Sequence, residues 1–340
     1  MPCSSASPKS VLRISTVHGL PDVLRDLGKD PSSVLNDLGF EQTLFDHADN
    51  RITLAERGRL LECCSKVSGC PHFGLLVGQR DGLEQLGIVG LLARHAPDVG
   101  TALQRLIRHF HLHAQGVEIG LAVDCGRALF SYVISDEGVE GTDQAGDGAV
   151  AAQLNIMREL CGPDFKALAA WFVRPPPKTL EPYLNLFQVR LRFDAPIYGL
   201  EFSSSWLTRL LPATDDALAH LIAEKILALE SQTGEDLSEN VRRLMQTALA
   251  FNHVDAKHIA SMLGIHVKTY HRRLRVKGTS HRELLDQTRM ALACRLLENS
   301  TKDIAEISTL LGYAEARSFI RAFKRWAETT PARWRKELRR

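Results

Sequence analysis

One short pattern occurs twice in the last third of the chain, and this repeat constrains the fold more than any other feature. In the first copy, Asp255 can cap a helix that carries Ile259 and Leu263 on its apolar face. Gly264 then permits a tight turn, and a second helix begins near Val267. Two helices joined by a short glycine-containing turn are the pattern of a helix-turn-helix unit.

The second copy follows about 45 residues later with the same order of features. Ser300 or Thr301 can cap a helix with Ile304 and Leu311 on its apolar face. Gly312 makes the turn, and another helix follows it. A single copy is common in ordinary helical bundles, whereas two copies in one short region favour a dedicated all-α module.

A third helix is predicted between the two copies, because Leu284, Leu292 and Leu296 recur at helical spacing. The stretch Glu283–Leu297 would be about 22 Å long. A spacer of this kind can place two helices in successive major grooves of DNA, which lie about 34 Å apart. We predict helix-turn-helix units at about 255–276 and 301–326, a spacer helix at about 282–298, and domains at 1–232 and 235–340.

The second helix of each copy has an apolar side and a basic side. Tyr270 and Leu274 are expected to face inward in the first copy, and Phe319 and Phe323 in the second. The residues left facing outward are Lys268, His271, Arg272 and Arg275, and then Arg317, Arg321, Lys324 and Arg325. Arginine can bond bidentately to a guanine edge, and other cations serve phosphates. The pattern therefore predicts DNA binding.

The charge distribution agrees with this prediction. Residues 235–340 contain 21 Lys and Arg against 12 Asp and Glu, a net charge of +9. Since the whole chain carries +2, the front part carries −7. An acidic front and a basic back indicate two bodies with different partners, of which the basic one suits a polyanion.

The front part is predicted to be a helix-decorated α+β domain. Val117–Val123 and Ala128–Ile134 flank a turn-like Asp-Cys-Gly-Arg segment and predict a β-hairpin. Further strands are expected at 168–173, 188–193 and 198–202, and helices at 55–67, 148–160 and 215–231. The last helix has an apolar stripe of Leu218, Ile222, Ile226 and Leu229. This stripe either pairs with its copy in a homodimer or packs on its own domain.

A cluster of cysteines and a run of histidines could each be a metal site, but the sequence favours neither as one. Cys63, Cys64 and Cys70 lie close together, but no second half of a ligand set has familiar spacing. His109, His111 and His113 follow a helical apolar pattern, and on a helix His109 and His113 would share a face without a third ligand. We therefore expect neither a metal nor a cofactor.

Other function classes are disfavoured by what the sequence lacks. It contains no GxSxG motif, no P-loop and no glycine-rich dinucleotide turn, so we expect no enzyme. The start lacks a secretory signal, and the apolar runs are too short to cross a bilayer. The chain is therefore expected to be cytoplasmic, without a membrane partner.

The basic region resembles the DNA-binding domain of the AraC/XylS regulators over about a hundred residues. The resemblance is carried by Ile304–Ile307, Leu311–Tyr313, Ser318–Trp326 and Thr330–Arg335. The first copy is similar through Ile259–Gly264, Thr269–Leu274 and Gly278–Ser280, with Arg289 in the spacer. The resemblance implies a regulator that binds double-stranded promoter DNA and works with RNA polymerase.

The same resemblance implies roles for individual residues. Lys268, His271 and Arg272 would read bases in the first unit, and Arg317, Ile320 and Arg321 in the second. Independently of the resemblance, the remaining basic side chains are expected to contact phosphates: Arg275, Lys324, Arg325, Arg333 and Arg335. Four positions depart from the family pattern: His266 and Ala314 replace a capping Ser, Glu328 replaces a Gly, and Arg317 stands at a usually small or polar position.

The front part is similar to the N-terminal domain of the branch that contains ornithine-utilisation and virulence regulators. The similarity lies in Pro71–Leu75, Leu86–Gly90, Tyr183-x3-Phe187 and 193–215. It implies a small-molecule sensor that also mediates dimerisation. The alternatives are an architectural DNA-binding protein without an effector and an enzyme-derived front domain.

Overall fold

The computed structural model describes residues 10–134, 139–212, 221–222, 224–226, 237–249, 254–263, 265–300 and 302–338. The strands are β1 (Val11–Arg13), β2 (Arg51–Thr53), β3 (Val117–Asp124), β4 (Arg127–Ile134), β5 (Ala167–Trp171), β6 (Arg190–Arg192) and β7 (Tyr198–Ser203). The helices of the front part are α1 (Leu20–Asp26), α2 (Pro31–Asp37), α3 (Leu54–Ser68), α4 (Phe73–Gly78), α5 (Ile88–Arg94), α6 (Val99–His109), α7 (Thr142–Cys161) and α8 (Glu181–Phe187). The back part contains α9 (Leu237–Leu249), α10 (Ala256–Met262), α11 (Val267–Val276), α12 (His281–Asn299), α13 (Ile304–Leu310), α14 (Ala316–Ala327) and α15 (Pro331–Leu338).

A five-stranded sheet with the order β3-β4-β7-β5-β6 forms the frame of the front part. The strands pair antiparallel except for the parallel pair β5–β6. The predicted hairpin is present: Asp124 pairs with Arg127, and Cys125 and Gly126 form a two-residue loop in which both φ angles are positive. Such a loop matches the twist of the flanking strands.

Helix α7 packs across this sheet, and α3 and α4 pack against α7. Glycine residues let the backbones of α4 and α7 approach closely, and the Gln144 side chain adds a bond by accepting from the Gly74 amide at 2.7 Å. A Cβ atom on Gly78 would lie 2.0 Å from the Gly148 carbonyl oxygen, so a larger residue cannot fit there. The hydrophobic core of the front part lies between α7, the helices around it and one face of the sheet.

Several sequence predictions for the front part need correction. The short pair β1–β2 was not expected, and α7 begins at Thr142, six residues before its predicted start. Helix α6 ends at His109, and a 3-10 turn covers Phe110–Leu112. His109 and His113 therefore do not share a helical face, and the predicted i,i+4 relationship is wrong.

The predicted helix at 215–231 falls largely outside the described residues. Leu221, Ile222 and Glu224–Ile226 are helical. Ile222 and Ile226 are buried against Leu92 of the same chain, a contact that favours the intrachain alternative for these two side chains. Leu218 and Leu229 lie outside the described residues. No helix within the described ranges is both long and apolar enough to cross a membrane.

The back part consists of two helix pairs around a long helix. We call α10 and α11 the first helix pair, α13 and α14 the second helix pair, and α12 the connecting helix. One apolar cluster joins α9 and the first pair to the start of α12, and another joins the second pair and α15 to its end. Helix α9 also contacts strand β3 of the front sheet.

The helix starts in the back part follow the sequence in one case and depart from it in the other. The Asp255 carboxylate accepts from the Lys257 and His258 amides, as predicted. Helix α13, by contrast, is capped by Asp303 rather than by Ser300 or Thr301, through a reciprocal bond with Glu306. Ser300 instead donates its hydroxyl to the Leu296 carbonyl at 2.7 Å, at the end of α12.

Candidate nucleic-acid interface and interior cavity

Helix α11 presents a basic surface on the side opposite its buried residues. Tyr270 and Leu274 are 0% and 1% exposed, which fixes the helix against its own unit. The side chains on the other side are all exposed: Lys268, His271, Arg272 and Arg275. The predicted inward and outward faces of this helix are confirmed, while the role of the outward residues stays a prediction.

Helix α14 repeats this arrangement. Phe319 and Phe323 are both fully buried, and their rings meet edge to face. Arg317, Arg321, Lys324 and Arg325 are exposed, whereas Ile320 is half-buried at the side of the helix. Ile320 therefore has less surface than the arginines for an intermolecular contact.

The predicted phosphate-contacting residues divide into three groups. Arg275 and Lys324 are exposed at the edges of the basic faces. Arg325 pairs with Asp286 at 2.8 Å, and Arg333 pairs with Glu337 at 2.8 Å. Arg335 is half-buried and donates Nε to the Leu297 carbonyl at 3.2 Å, which ties α15 to α12. That donor serves the fold of the back part.

The two positions that depart from the family pattern at the helix starts behave differently. His266 caps α11, because its Nδ1 atom accepts from the Lys268 amide at 3.2 Å. The imidazole thus replaces the hydroxyl of a capping Ser. Ala314, the second such position, does not cap α14, because it lies one residue before the cap; Glu315 occupies the cap and makes no side-chain bond there. At the other end of α14, Glu328 has a φ of 56°, a left-handed conformation that favours glycine.

Two side chains of the connecting helix anchor the helix pairs. His281 Nε2 donates to the Val254 carbonyl at 2.9 Å, and its Nδ1 accepts the Tyr270 hydroxyl at 2.8 Å. A carbonyl can only accept, so Nε2 carries the proton of the neutral ring. Burial lowers the pKa of His281, in agreement with this form. The role of His281 was not foreseen, because a single histidine carries no spacing signal.

The anchor of the second helix pair is Arg289. Its Nε donates to the Leu311 carbonyl at 2.9 Å and its Nη2 to the Gly312 carbonyl at 3.4 Å. Its guanidinium also lies 4.6 Å from the centre of the Tyr313 ring. The arginine therefore holds the turn of the second helix pair against α12.

The front part contains a cavity between α3, α4, α7 and the β3–β4 hairpin. Its volume is about 90 Å³, whereas one water molecule requires about 10–15 Å³. Most of the wall is apolar and includes Leu61, Val77, Leu86, Phe110, Phe130 and Ile156. The polar lining includes Ser15, Arg57, Asp81, His113, Tyr132 and Gln153.

Burial determines the charge state of the polar wall. Arg57 is 5% exposed and donates Nη2 to the Tyr132 hydroxyl at 2.9 Å. Burial, assisted by the charges of Arg13 and Arg57, lowers the pKa of His113 to about 3, so this ring is neutral at physiological pH. Burial raises the pKa of Asp81 well above its usual range, against the opposing effect of Arg57 and Arg80.

The cysteine cluster forms no recognisable metal site. Burial, together with the neighbouring Cys63, raises the pKa of Cys64 to about 12, and burial also raises that of Cys70. Both thiols therefore stay protonated at physiological pH, which disfavours a nucleophilic role, because the nucleophile is the thiolate. No group of three or more His, Cys, Asp and Glu side chains within the described ranges is arranged to hold a metal ion.

Comparison with known proteins adds independent evidence. Residues 28–211 match the family of the arabinose-binding domain of AraC transcription regulators, and residues 259–337 match a helix-turn-helix domain. The HTH-type transcriptional regulator VirS of Mycobacterium tuberculosis is 26% identical over 328 residues, which are 96% of each chain. The ornithine utilization regulator of Pseudomonas aeruginosa is 25% identical over 324 residues, 95% of each chain.

These matches cover both parts of the molecule. The first family match spans more than half of the chain. The two full-length relatives are named as regulators and not as enzymes, in agreement with the sequence prediction. The basic helices found in the structure lie within the helix-turn-helix match. The chain belongs to the AraC family of transcription regulators, with an α/β N-terminal domain and a helical DNA-binding domain.

Proposed function

We propose that this regulator reads a bipartite DNA site through its two helix pairs, each acting as a helix-turn-helix unit, with α12 as the spacer. The observation that carries the proposal is the pair of basic faces on α11 and α14, each opposite a fully buried aromatic residue. The connecting helix has 19 residues and a length of about 28 Å, which suits two major grooves about 34 Å apart.

The base-reading residues in this proposal are Lys268, His271, Arg272, Arg317, Ile320 and Arg321. Arg275 and Lys324 bind phosphates, and Arg325 and Arg333 do so by exchanging their carboxylate partners for phosphate oxygens. The domains extend over about 1–232 and 235–340. Self-association and contact with RNA polymerase stay predictions.

A small-molecule effector controls the regulator in this proposal, through the cavity of the front domain. The supporting observation is that strand β3 touches both the cavity and the DNA-binding domain. Val117 and Ile119 line the cavity, and the same strand contacts α9 of the DNA-binding domain. A ligand that shifts β3 therefore acts directly on the helix that packs against the first helix pair.

Selection of bound sequences from random DNA by the full chain tests the first proposal. We expect two conserved blocks with centres about 10 base pairs apart. Affinity should also fall steeply with salt, because phosphate contacts release counterions. An architectural DNA-binding protein would instead bind the random pool as tightly as any selected sequence, and that result would overturn the proposal.

A further inference from the structure

Polar atoms without partners collect around the cavity of the front domain. Within the described ranges, Ser15 Oγ, Arg57 Nε, Asp81 Oδ1 and His113 Nδ1 are buried and have no hydrogen-bond partner. The same holds for both polar atoms of the Gln153 amide. Buried polar groups are almost always satisfied in folded proteins, because an unmatched donor or acceptor costs stability. Five such residues around one cavity indicate a site built for a polar group.

The charges of the residues that line the cavity indicate which kind of polar group a ligand would place there. Among the described residues that line the cavity, Arg57 is the only Lys or Arg. His113 is neutral at physiological pH, and burial favours the uncharged form of Asp81. The wall therefore has one permanent positive charge with a free Nε donor. A carboxylate is the natural partner of such a donor, since its oxygens accept charge-assisted bonds.

The apolar residues that line the cavity indicate what the rest of the ligand must be like. Leu61, Leu86, Phe110 and Ile156 contribute apolar surface. A sugar exposes hydroxyl groups around its whole ring and would leave several of them against these side chains, which is costly. A compact apolar body would bury its surface there at no such cost. The lining therefore fits a molecule that is polar at one end.

We propose that the cavity binds a small organic monocarboxylate, with its carboxylate on Arg57 and its apolar body against Leu61, Phe110 and Ile156. The proposal rests on effector control of this regulator and names the chemical class of the effector. The Tyr132 hydroxyl holds the guanidinium in place by accepting from Nη2. Ser15, His113 and Gln153 bind the second carboxylate oxygen or a polar substituent.

The first test compares charged and neutral ligands on the unmodified full chain by calorimetry. The probes are butanoate, hexanoate and benzoate, their neutral amides, and L-arabinose. We expect at least one carboxylate to bind about tenfold or more tightly than its amide, because only the acid gains the charge-assisted bond. Equal affinity for acid and amide, tighter binding of the sugar, or no carboxylate binding at roughly millimolar concentration would overturn the proposal.

The second test removes the cation. Arg57→Met keeps most of the side-chain volume and should weaken carboxylate binding about 10- to 100-fold. The matched control is Arg59→Gln, which removes a charge from an exposed residue of the same helix and should leave affinity unchanged. Circular dichroism establishes that the variants are folded, and Arg57→Lys should restore part of the affinity. A folded Arg57→Met variant with wild-type carboxylate affinity would contradict the assignment.

DNA binding measured on the same samples separates this inference from the proposed function. A carboxylate that binds through Arg57 without changing DNA affinity or transcription supports the ligand class and contradicts effector control. A chain that binds its DNA site specifically but binds none of the carboxylates keeps its DNA-reading function and loses the ligand assignment.

Discussion

The two helix pairs of the DNA-binding domain are attached to the same connecting helix by different chemistry. The first is held by a neutral imidazole, His281, placed between Tyr270 and a backbone carbonyl. The second is held by a guanidinium, Arg289, which donates to two carbonyls of the turn and stacks on Tyr313. One architecture is thus stabilised in two ways, and only the first depends on a side chain, His281, that takes up a proton as the pH falls.

The anchor of the second helix pair should have the larger effect. Arg289→Met removes both charge-assisted bonds and should lower the local stability of α13 and α14 by about 2–3 kcal/mol. Hydrogen exchange of the α13 and α14 amides in the full chain measures this change. Arg282→Met, at an exposed position of the same helix, is the control. Equal protection in the two variants would show that the guanidinium does not hold the turn.

The anchor of the first helix pair should have a smaller, pH-dependent effect. His281→Phe leaves the Tyr270 hydroxyl and the Val254 carbonyl without this partner and should cost about 1–2 kcal/mol. Because burial lowers the folded-state pKa of His281, its contribution is present above the unfolded pKa of about 6.5 and declines as the pH falls below it.

Exchange of the α11 amides at several pH values measures this dependence. The groups that face His281 are Tyr270, His271, Asp255 and Arg289. As the pH falls, the α11 amides of the wild-type chain should lose more protection from exchange than those of His281→Phe. The α14 amides should show the same pH dependence in both proteins. A pH profile of α11 that His281→Phe leaves unchanged would rule out titration of this histidine as the cause.

The helix starts should respond in opposite directions. His266→Ala removes the cap of α11 and should cost about 1 kcal/mol. Glu315→Ser adds a capping hydroxyl where Glu315 makes no side-chain bond and should stabilise α14 by about 0.5–1 kcal/mol. Amide exchange in the first turn of each helix reports both changes. A loss of protection in both variants would contradict the difference between the two caps.

The smallest effect is expected at the end of α14. Glu328 has a positive φ, so Glu328→Gly should relieve strain and stabilise the end of this helix by about 0.5–1 kcal/mol. In the first helix pair, Gly278 already follows α11 with a φ of 72°. Gly278→Ala should therefore destabilise the end of α11 instead. Thermal unfolding of both variants checks the signs, and destabilisation by Glu328→Gly would refute this explanation.

Local signals in the sequence predicted much of the back domain. The periodicity of apolar residues placed Tyr270, Leu274, Phe319 and Phe323 on the buried faces. The predicted cap of α13 at Ser300 or Thr301 is wrong, since Ser300 and Asp303 both have capping side chains and only three-dimensional contacts distinguish them.

Long-range contacts were the part that the sequence could not supply. The cavity joins Ser15, Arg57, His113 and Gln153, which come from distant segments and have no common spacing. The prediction that His109, His111 and His113 lie on one helix is wrong, because nothing local in the sequence indicates that α6 ends at His109. The burial of Ile222 against Leu92 likewise depends on how separate elements meet.

Competition binding with single-base variants of the selected site tests the central claim, that both helix pairs read DNA. Arg272→Ala and Arg321→Ala should each cost about 1–3 kcal/mol on the best site and little on random DNA. The positions at which they lose discrimination should lie about one helical turn apart. Equal losses on specific and random DNA in both variants would show that the two arginines bind phosphates, and would contradict the account.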